Sequence, residues 1–382
     1  MYLRCNLIYM KIGILGGGQL GRMLLQASGN YVVETHVLEK DPSCPAAAFC
    51  DRFTAGDITS YEDVYRFGKG LDAITIEIER VNTDALEALQ KEGVQVYPSP
   101  TAIRLFQDKR QQKDFYRRHE IPTADYRITT DLADLAAQAD FLPAVHKIGI
   151  GGYDGKGVRV LRDKNDLPNG FDDGAVLEKM VDVKTEIALI VAMDTRGKTA
   201  LYPPAEMVFD PIRNVLDYQV SPALLPEKML WRAEAMAIRL VQELKSPGLF
   251  AVELFIDAGG NVLVNETAPR VHNSGHHTIE GNYSSQYDML WRIMLGYPLG
   301  NTSPILPAAM VNILGETGAS GEVVYEGLTD TLALDNVFVH LYGKKQTAPG
   351  RKMGHVTILS SDYAELRHQA NKIRHLLRAT TL

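Results

Sequence analysis

Phe250 to Glu266 reads FAVELFIDAGGNVLVNE. Two runs rich in Val, Ile, Leu and Phe flank Ala258-Gly259-Gly260-Asn261, the pattern of two strands joined by a tight turn. With those residues as the loop, Asp257 pairs with Val262 and Glu253 falls opposite Glu266. Directly opposed residues of an antiparallel pair stand about 5 Å apart on one face. Two carboxylates there repel unless a cation lies between them. Magnesium, a hard ion that favours carboxylate and phosphate oxygens, fits that role; a solvated acidic pair is the plainer alternative. Val252, Leu254 and Ile256 make the other face, apolar and turned inward. The inference hangs on loop parity, because an odd loop would send the two glutamates to opposite faces.

Immediately after the hairpin, Arg270-Val271-His272-Asn273-Ser274-Gly275-His276-His277 concentrates hydrogen-bond donors. Such density beside a metal suits an anionic substrate and developing oxyanion charge; a polar loop capping the next helix is the bland reading, expected of Ser274 and His277. Upstream, Gly149-Ile150-Gly151-Gly152-Tyr153-Asp154-Gly155-Lys156-Gly157 holds five glycines in nine residues, with Lys147 just before it. It lacks the G-K-[ST] ending of a P-loop. A segment so rich in glycine loses much entropy on ordering, which points to a loop that orders over bound phosphates; an exposed hairpin tip is the alternative. Near the C-terminus, Pro349-Gly350-Arg351-Lys352-Met353-Gly354-His355 sets two cations beside a glycine, either a phosphate site or a basic turn.

The N-terminal part is of a different kind. Lys11–Leu15 is a short apolar strand, and Gly16-Gly17-Gly18-Gln19-Leu20-Gly21 turns it into a helix expected to begin near Arg22. Gly16, Gly18 and Gly21 match G-x-G-x-x-G, and Glu39 lies where a dinucleotide fold carries its ribose carboxylate. The physical content of that motif is a strand-to-helix turn whose N–H groups approach an anion, which a substrate phosphate satisfies as well as a pyrophosphate. Strands follow at Thr35–Leu38 and Ala73–Ile78, the latter with Ile74, Ile76 and Ile78 on one face and Thr75, Glu77 and Glu79 on the other. Helical patterns at Ser60–Phe67 and Thr83–Glu92 complete a strand and helix alternation that implies a parallel sheet. One helix is expected from Thr101 to His119, rich in basic and amide side chains. Further on come strands at Ala175–Met180 and Glu186–Met193 and helices near Lys228–Leu244 and Tyr287–Leu295. Short strands at Val337–Leu341 and His355–Leu359 fall in a small third unit.

The 382 residues imply two or three domains, and 45% apolar with 23% charged residues is ordinary for a globular chain with a sizeable core. A formal charge of −7 argues against a nucleic-acid partner held by bulk electrostatics. No stretch approaches the ~20 apolar residues that span a bilayer. Cys5, Cys44 and Cys50 are odd in number and lack CxxC spacing, which fits a reducing cytoplasm and neither a disulfide framework nor a zinc site. Lys11 and the glycines from Gly13 interrupt any signal-peptide core, and Met10 reads as a natural start, with residues 1–9 an extension.

KIGILGGGQLGRM (Lys11–Met23), GGYDGKG (Gly151–Gly157), NETAPRVHNSGH (Asn265–His276) and GRKMGH (Gly350–His355) occur in this order in N5-carboxyaminoimidazole ribonucleotide synthases, and the chain resembles that family from Met10 to its end. The resemblance implies α/β and α+β architecture: a Rossmann-like pre-ATP-grasp domain (10–100), an ATP-grasp domain (101–310, lid about 125–192) and a small β-rich C-terminal domain (311–382). It implies that Lys109 and Lys147 bind phosphates and that Gly152, Tyr153, Asp154, Gly155, Lys156 and Gly157 form the lid loop. Glu178, Lys179 and Val181 would form the hinge at the adenine, with Glu186 on the ribose and Asn265 beside the phosphates. Glu253 and Glu266 match the magnesium ligands. Gly18, Gln19, Leu20, Glu79, Tyr153, Arg270, Lys345, Arg351 and Lys352 would hold the substrate nucleotide. Lys109 stands where arginine is common, Val158 where glutamine is frequent, and Ala348 where a basic residue is frequent; Lys344 and Lys345 leave the register there open by one position.

The reaction so implied joins bicarbonate to aminoimidazole ribonucleotide with ATP and Mg2+, through carboxyphosphate, in a cytoplasmic homodimer. Arg270 and Asn273 are expected to hold bicarbonate, Lys147 to neutralise transferred charge, and His272 to handle a proton. Other readings are a different ATP-grasp ligase (a formate-dependent glycinamide ribonucleotide transformylase or a biotin carboxylase), a nicotinamide-dependent dehydrogenase, and a non-catalytic nucleotide-binding module. The transformylase and biotin carboxylase lack the RVHNSGH and GRKMGH combination. The dehydrogenase leaves the second glycine loop and the glutamate pair unexplained, and retention of both glutamates and both lysines argues against the last.

Overall fold

A computed structural model describes residues 9–152, 157–209 and 216–382. Strands β1 (Met10–Leu15), β2 (Val33–Glu39), β3 (Arg52–Ala55), β4 (Ala73–Ile76) and β5 (Gln95–Tyr97) form a parallel sheet ordered β3-β2-β1-β4-β5. Helices α1 (Gln19–Ser28), α2 (Tyr61–Gly68) and α3 (Thr83–Lys91) connect them. The sequence marks two of these starts well: Ser60 accepts from the Asp63 N–H and Asn82 from the Ala85 N–H, ordinary N-caps. Two expectations need correction. The first helix begins at Gln19, not near Arg22, because Gly18 ends the strand-to-helix turn directly. The expected Ala73–Ile78 strand stops at Ile76 and is buried on both faces, Thr75 included. Parallel strands are covered by helices on both sides, so alternation did not mark a wet face.

The single helix expected from Thr101 to His119 is two, α4 (Pro100–Gln107) and α5 (Lys109–Arg118). Asp108 between them is extended (φ −126°, ψ 113°), and its carboxylate accepts the Arg110 N–H as the cap of α5. An aspartate that bonds the backbone locally competes with helix continuation, which is why the break falls there. Next comes an antiparallel sheet ordered β6-β9-β7-β8, from β6 (Tyr126–Thr129), β7 (Ala144–Ile148), β8 (Val158–Leu161) and β9 (Ala175–Lys179). Helix α6 (Leu132–Ala137) packs on it through Leu135.

The largest layer is a sheet of nine strands among the described residues. Its members are β10 (Val183–Met193), β11 (Thr199–Leu201), β12 (Ala205–Phe209), β13 (Leu216–Ser221), β14 (Gly248–Asp257), β15 (Val262–Ala268), β16 (Ala308–Leu314), a strand at Val337–Leu341 and one at Lys352–Leu359. The path runs β15-β14-β10-β12-β13-β16, then Lys352–Leu359 and Val337–Leu341, with β11 on β10. Helix α7 (Glu227–Leu244) buries Ala233, Ala237, Leu240 and Val241 against Ile187, Leu189, Val252 and Leu254. A short helix α8 (Thr278–Gly281) precedes α9 (Gln286–Met294), which joins the first domain to this sheet. Trp291 of α9 is fully buried and its indole N–H donates to the Leu24 carbonyl of α1 at 2.7 Å. That contact fixes the first glycine loop relative to the segment following β15.

Candidate active site

The Glu253–Glu266 pairing exists, though not through the loop assumed for it. Asp257 donates its N–H to the Asn261 carbonyl, so the turn is Ala258-Gly259-Gly260, an odd loop. Gly260 has φ +77°, the left-handed residue that a three-residue hairpin turn needs. Ile256 pairs with Val262 and Leu254 with Val264; then the register shifts, and Glu253 pairs with Glu266. Asn265 is the extra residue of that bulge, and it returns the two glutamates to one face. Burial, then the Glu266 and Glu186 carboxylates, push Glu253 up to about 7. Glu186, on β10 beside them, is also pushed up to about 7 by burial. Burial acts to raise Glu266 too, but the Lys109 ammonium outweighs it and holds that carboxyl below its ordinary range.

The bulge also brings Asn265 within reach of Lys147. Lys147 leaves β7 and donates to Asn265 Oδ1 at 2.9 Å and to Glu178 Oε2 at 3.1 Å, linking the lid sheet to the large sheet. Lys109, presented by the first turn of α5, ion-pairs with Glu266. A cavity of ≈ 520 Å³ is walled by Ala124, Lys179, Met180 and Val181 on the hinge side and by Ala258 and Leu263 of the hairpin. Lys109 and Lys147 thus meet Glu178, Asn265 and Glu266 between the two sheets, while the cavity lies between the hinge and the hairpin turn at Asp257–Gly259 and is lined by none of those lysines or glutamates. Tyr153, Asp154, Gly155 and Lys156 lie outside the described residues; Gly152 and Gly157 flank them, with Gly157 at φ +103°.

The segment after β15 is held by three buried amides that sequence reasoning did not single out. Gln286 accepts the His272 N–H at 2.9 Å and donates to the His272 carbonyl at 2.8 Å. Asn312 and Asn273 exchange amide hydrogen bonds in both directions at 3.0 Å. Gln219 donates to the Ser274 carbonyl at 2.7 Å. These partners are 14 to 55 residues apart in sequence, so no local pattern could have found them. His272 Nδ1 lies 3.3 Å from the Ser274 backbone N and 2.9 Å from the Ser274 hydroxyl, and Nε2 lies 3.9 Å from Glu253. Arg270 ion-pairs with Glu79 at 2.9 Å, so those two expected substrate residues meet.

At the first glycine loop the chain supplies its own anion. Glu77 accepts N–H groups from Gly18 and, at 2.6 Å, from Gly21, and Glu39 accepts that of Gly17 at 3.2 Å. The helix-terminal donors expected to face a bound phosphate thus face Glu77. Burial raises the Glu77 carboxyl despite those donors. Glu39 is turned to the loop, not to the ribose of a dinucleotide. Gln19 opens α1 and Leu20 is buried behind it. At the C-terminal end, Lys344 donates to the Lys352 carbonyl at 2.8 Å, whereas Lys345 is exposed. Arg351 donates to the Gln346 carbonyl, and the Lys352 charge is felt at Glu253.

Three family models match the chain in sequence: a ribonucleotide synthetase preATP-grasp domain over residues 9–107, an ATP-grasp domain over 114–287, and a phosphoribosylaminoimidazole carboxylase C-terminal domain over 308–369. The N5-carboxyaminoimidazole ribonucleotide synthase of Mycobacterium tuberculosis is 36% identical over 377 residues, covering 96% of this chain and 87% of the relative. The chloroplastic phosphoribosylaminoimidazole carboxylase of Vigna aconitifolia is 35% identical, and the chain spans 66% of its length while 94% of this chain is covered. The crystal structure of the N5-carboxyaminoimidazole synthase of Aspergillus clavatus, in complex with ADP and 5-aminoimidazole ribonucleotide, superimposes with a TM-score of 0.87 at 30% identity, over 96% of this chain and 99% of that one.

Proposed function

The chain belongs to the N5-carboxyaminoimidazole ribonucleotide synthase family of ATP-grasp ligases, and on that premise we propose that it carboxylates 5-aminoimidazole ribonucleotide with bicarbonate and ATP. It is a carbon–nitrogen ligase of purine biosynthesis. The observation that carries the site reading is the convergence of Lys109, Lys147, Glu253 and Glu266 between the two sheets. The donor set suits magnesium: two carboxylates side by side on one sheet face, with Glu253 lifted by burial first and then by its carboxylate neighbours, and the remaining ligands left to phosphates, as this ion prefers. When bound, the ion supplies charge neutralisation at the transferred phosphoryl group.

In this reading Lys147 and Lys109 bind the ATP phosphates, the 152–157 loop closes over them, and the backbone of 178–181 reads the base, with Glu186 on the ribose. A bicarbonate oxygen attacks the γ-phosphorus, giving carboxyphosphate and ADP. The exocyclic amine of the acceptor then takes the carboxyl group, directly or as carbon dioxide retained in the site, and phosphate leaves. Closure excludes the water that would hydrolyse carboxyphosphate. Arg270 holds bicarbonate and His272 takes the amine proton. Asn273, originally expected as a second bicarbonate ligand, is better read as the support of that loop, since both ends of its amide engage Asn312. Gly18, Gln19, Leu20, Glu79, Lys345, Arg351 and Lys352 stay assigned to the acceptor nucleotide, and a homodimer and a cytoplasmic location belong to the same proposal.

The test is phosphate release from ATP with magnesium and bicarbonate, with and without 5-aminoimidazole ribonucleotide. Strong stimulation by the nucleotide, lost in Glu266→Gln, is expected. Folded, ATP-binding protein without stimulation would show the acceptor to be a different amine.

A further inference from the structure

Helix α5 presents two lysines to the cleft, one turn apart. The first, Lys109, pairs with Glu266. The second, Lys113, is almost wholly buried, lies 3.3 Å from Glu178 Oε2 and donates to Thr123 Oγ1. Thr123 in turn donates to the Val264 carbonyl, one residue before the bulged Asn265. Glu178 Oε2 is the same oxygen that Lys147 approaches at 3.1 Å. One buried carboxylate oxygen therefore stands between two ammonium groups.

Charge balance gives this arrangement a consequence. Lys147 bound to an otherwise unpaired buried glutamate would be strongly held there, because desolvated opposite charges attract far more than in water. A second cation on the same carboxylate oxygen offsets the attraction. Burial acts to raise the Glu178 carboxyl, and Lys147 and Lys113 together outweigh it, so Glu178 stays ionised. We propose that Lys113 is a positioning residue: it neutralises Glu178 so that Lys147 can exchange that carboxylate for the phosphates of ATP. This rests on the reading of Lys147 as a phosphate-binding lysine. Lys113 touches no reacting atom. It acts through Glu178, and its position on α5 ties the lid sheet to Thr123 and, through it, to the hairpin.

The test measures affinity for the magnesium complex of a non-hydrolysable ATP analogue by calorimetry, with steady-state KM values, on full-length Lys113→Met, Lys113→Gln, Glu178→Gln and the double Lys113→Met/Glu178→Gln. Expected are a tenfold or greater loss of analogue affinity in Lys113→Met, a matching rise in KM for ATP, and little change in KM for the acceptor nucleotide. Removing the glutamate as well should restore most of that loss, because Lys147 is then no longer held. A purely structural role for Lys113 predicts that analogue affinity falls only in step with thermal stability and that KM for the acceptor nucleotide rises as well; that pattern, or a double variant no better than Lys113→Met, overturns the proposal. So does analogue binding in Lys113→Met equal to that of the unaltered protein. Should Lys113→Met fail to fold, Lys113→Gln, which can still donate to Thr123, is compared with the double variant, and the absence of rescue overturns the proposal in the same way. Failure of the unaltered protein to bind the analogue would instead refute the ATP-binding reading itself.

Discussion

Glu253→Gln should make the ligand-free protein more stable at alkaline pH. The side chain keeps its shape and loses a charge that the fold disfavours. In the folded chain the Glu253 carboxyl is raised from an ordinary 4.5 to about 7, by burial first and then by Glu266 and Glu186. Each tenfold change in proton affinity corresponds to about 1.4 kcal/mol, so the ionised form is disfavoured by folding to the extent of about 3 kcal/mol. Below about pH 4.5 the carboxyl is protonated in both states, and no penalty exists. Between there and about pH 7 the unfolded chain ionises while the folded one stays protonated, and stability falls as pH rises. Above about pH 7 both are ionised, and the full penalty is present. Thermal unfolding without metal at pH 8 should therefore show the variant above the unaltered protein by several degrees. At pH 5 the gap should shrink to under about 1 kcal/mol. Magnesium and ATP together should then raise the unaltered protein more than the variant, since the anion becomes a ligand. A variant no more stable than the parent at pH 8 without metal would refute the reasoning that burial and the neighbouring carboxylates disfavour the Glu253 anion.

Gln286→Leu leaves the His272 N–H and carbonyl without their partners; a stability loss of about 2–4 kcal/mol in denaturant unfolding and a fall in kcat of about a hundredfold are expected. Asn312→Ala strands the Asn273 amide in a buried site, at about 1–3 kcal/mol, and should raise KM for bicarbonate while sparing KM for ATP. Gly18→Ala places a methyl 2.6 Å from Glu77 Oε1, so the loop must shift, and KM for the acceptor nucleotide should rise in steady-state assays. Trp291→Ala opens a cavity under α1 and removes the bond to Leu24; a loss of about 3–5 kcal/mol in unfolding experiments is expected.

Local chemistry was readable where it acts within a few residues. Caps at Ser60 and Asn82, the two hairpin strands and the parallel alternation near the N-terminus all follow from neighbours in sequence. The glutamate pair was legible in outcome but not in cause. Glycine content marked the turn at Ala258–Gly260, yet nothing in the sequence announces a bulge at Asn265, and two departures from regularity cancelled. The break at Asp108 was overlooked because helix periodicity continues across it, although a capping aspartate was there to be seen. What the sequence concealed were contacts between distant residues: Glu77 filling the first glycine loop, Lys113 on Glu178, and three amides fastening the segment from His272 to Ser274. Each is a long-range pairing of polar groups, and polar side chains carry no periodic signature of the partner they will meet.

The unbroken large sheet has a consequence for modularity. The ATP-grasp match ends at residue 287 and the C-terminal match begins at 308, yet β13 on one side is laddered to β16 on the other, Tyr218 to Val311 and Val220 to Ala309. Sequence modules here are not mechanical ones. Strand β13 is buried at every residue from Leu216 to Ser221, and a chain shortened before β16 would leave it as a naked edge, ready to recruit another molecule's strand. Nor can the C-terminal segment be exchanged with that of a relative as a cassette, since the donor must bring a strand whose register and side chains fit β13. Selection on either module is thereby selection on both.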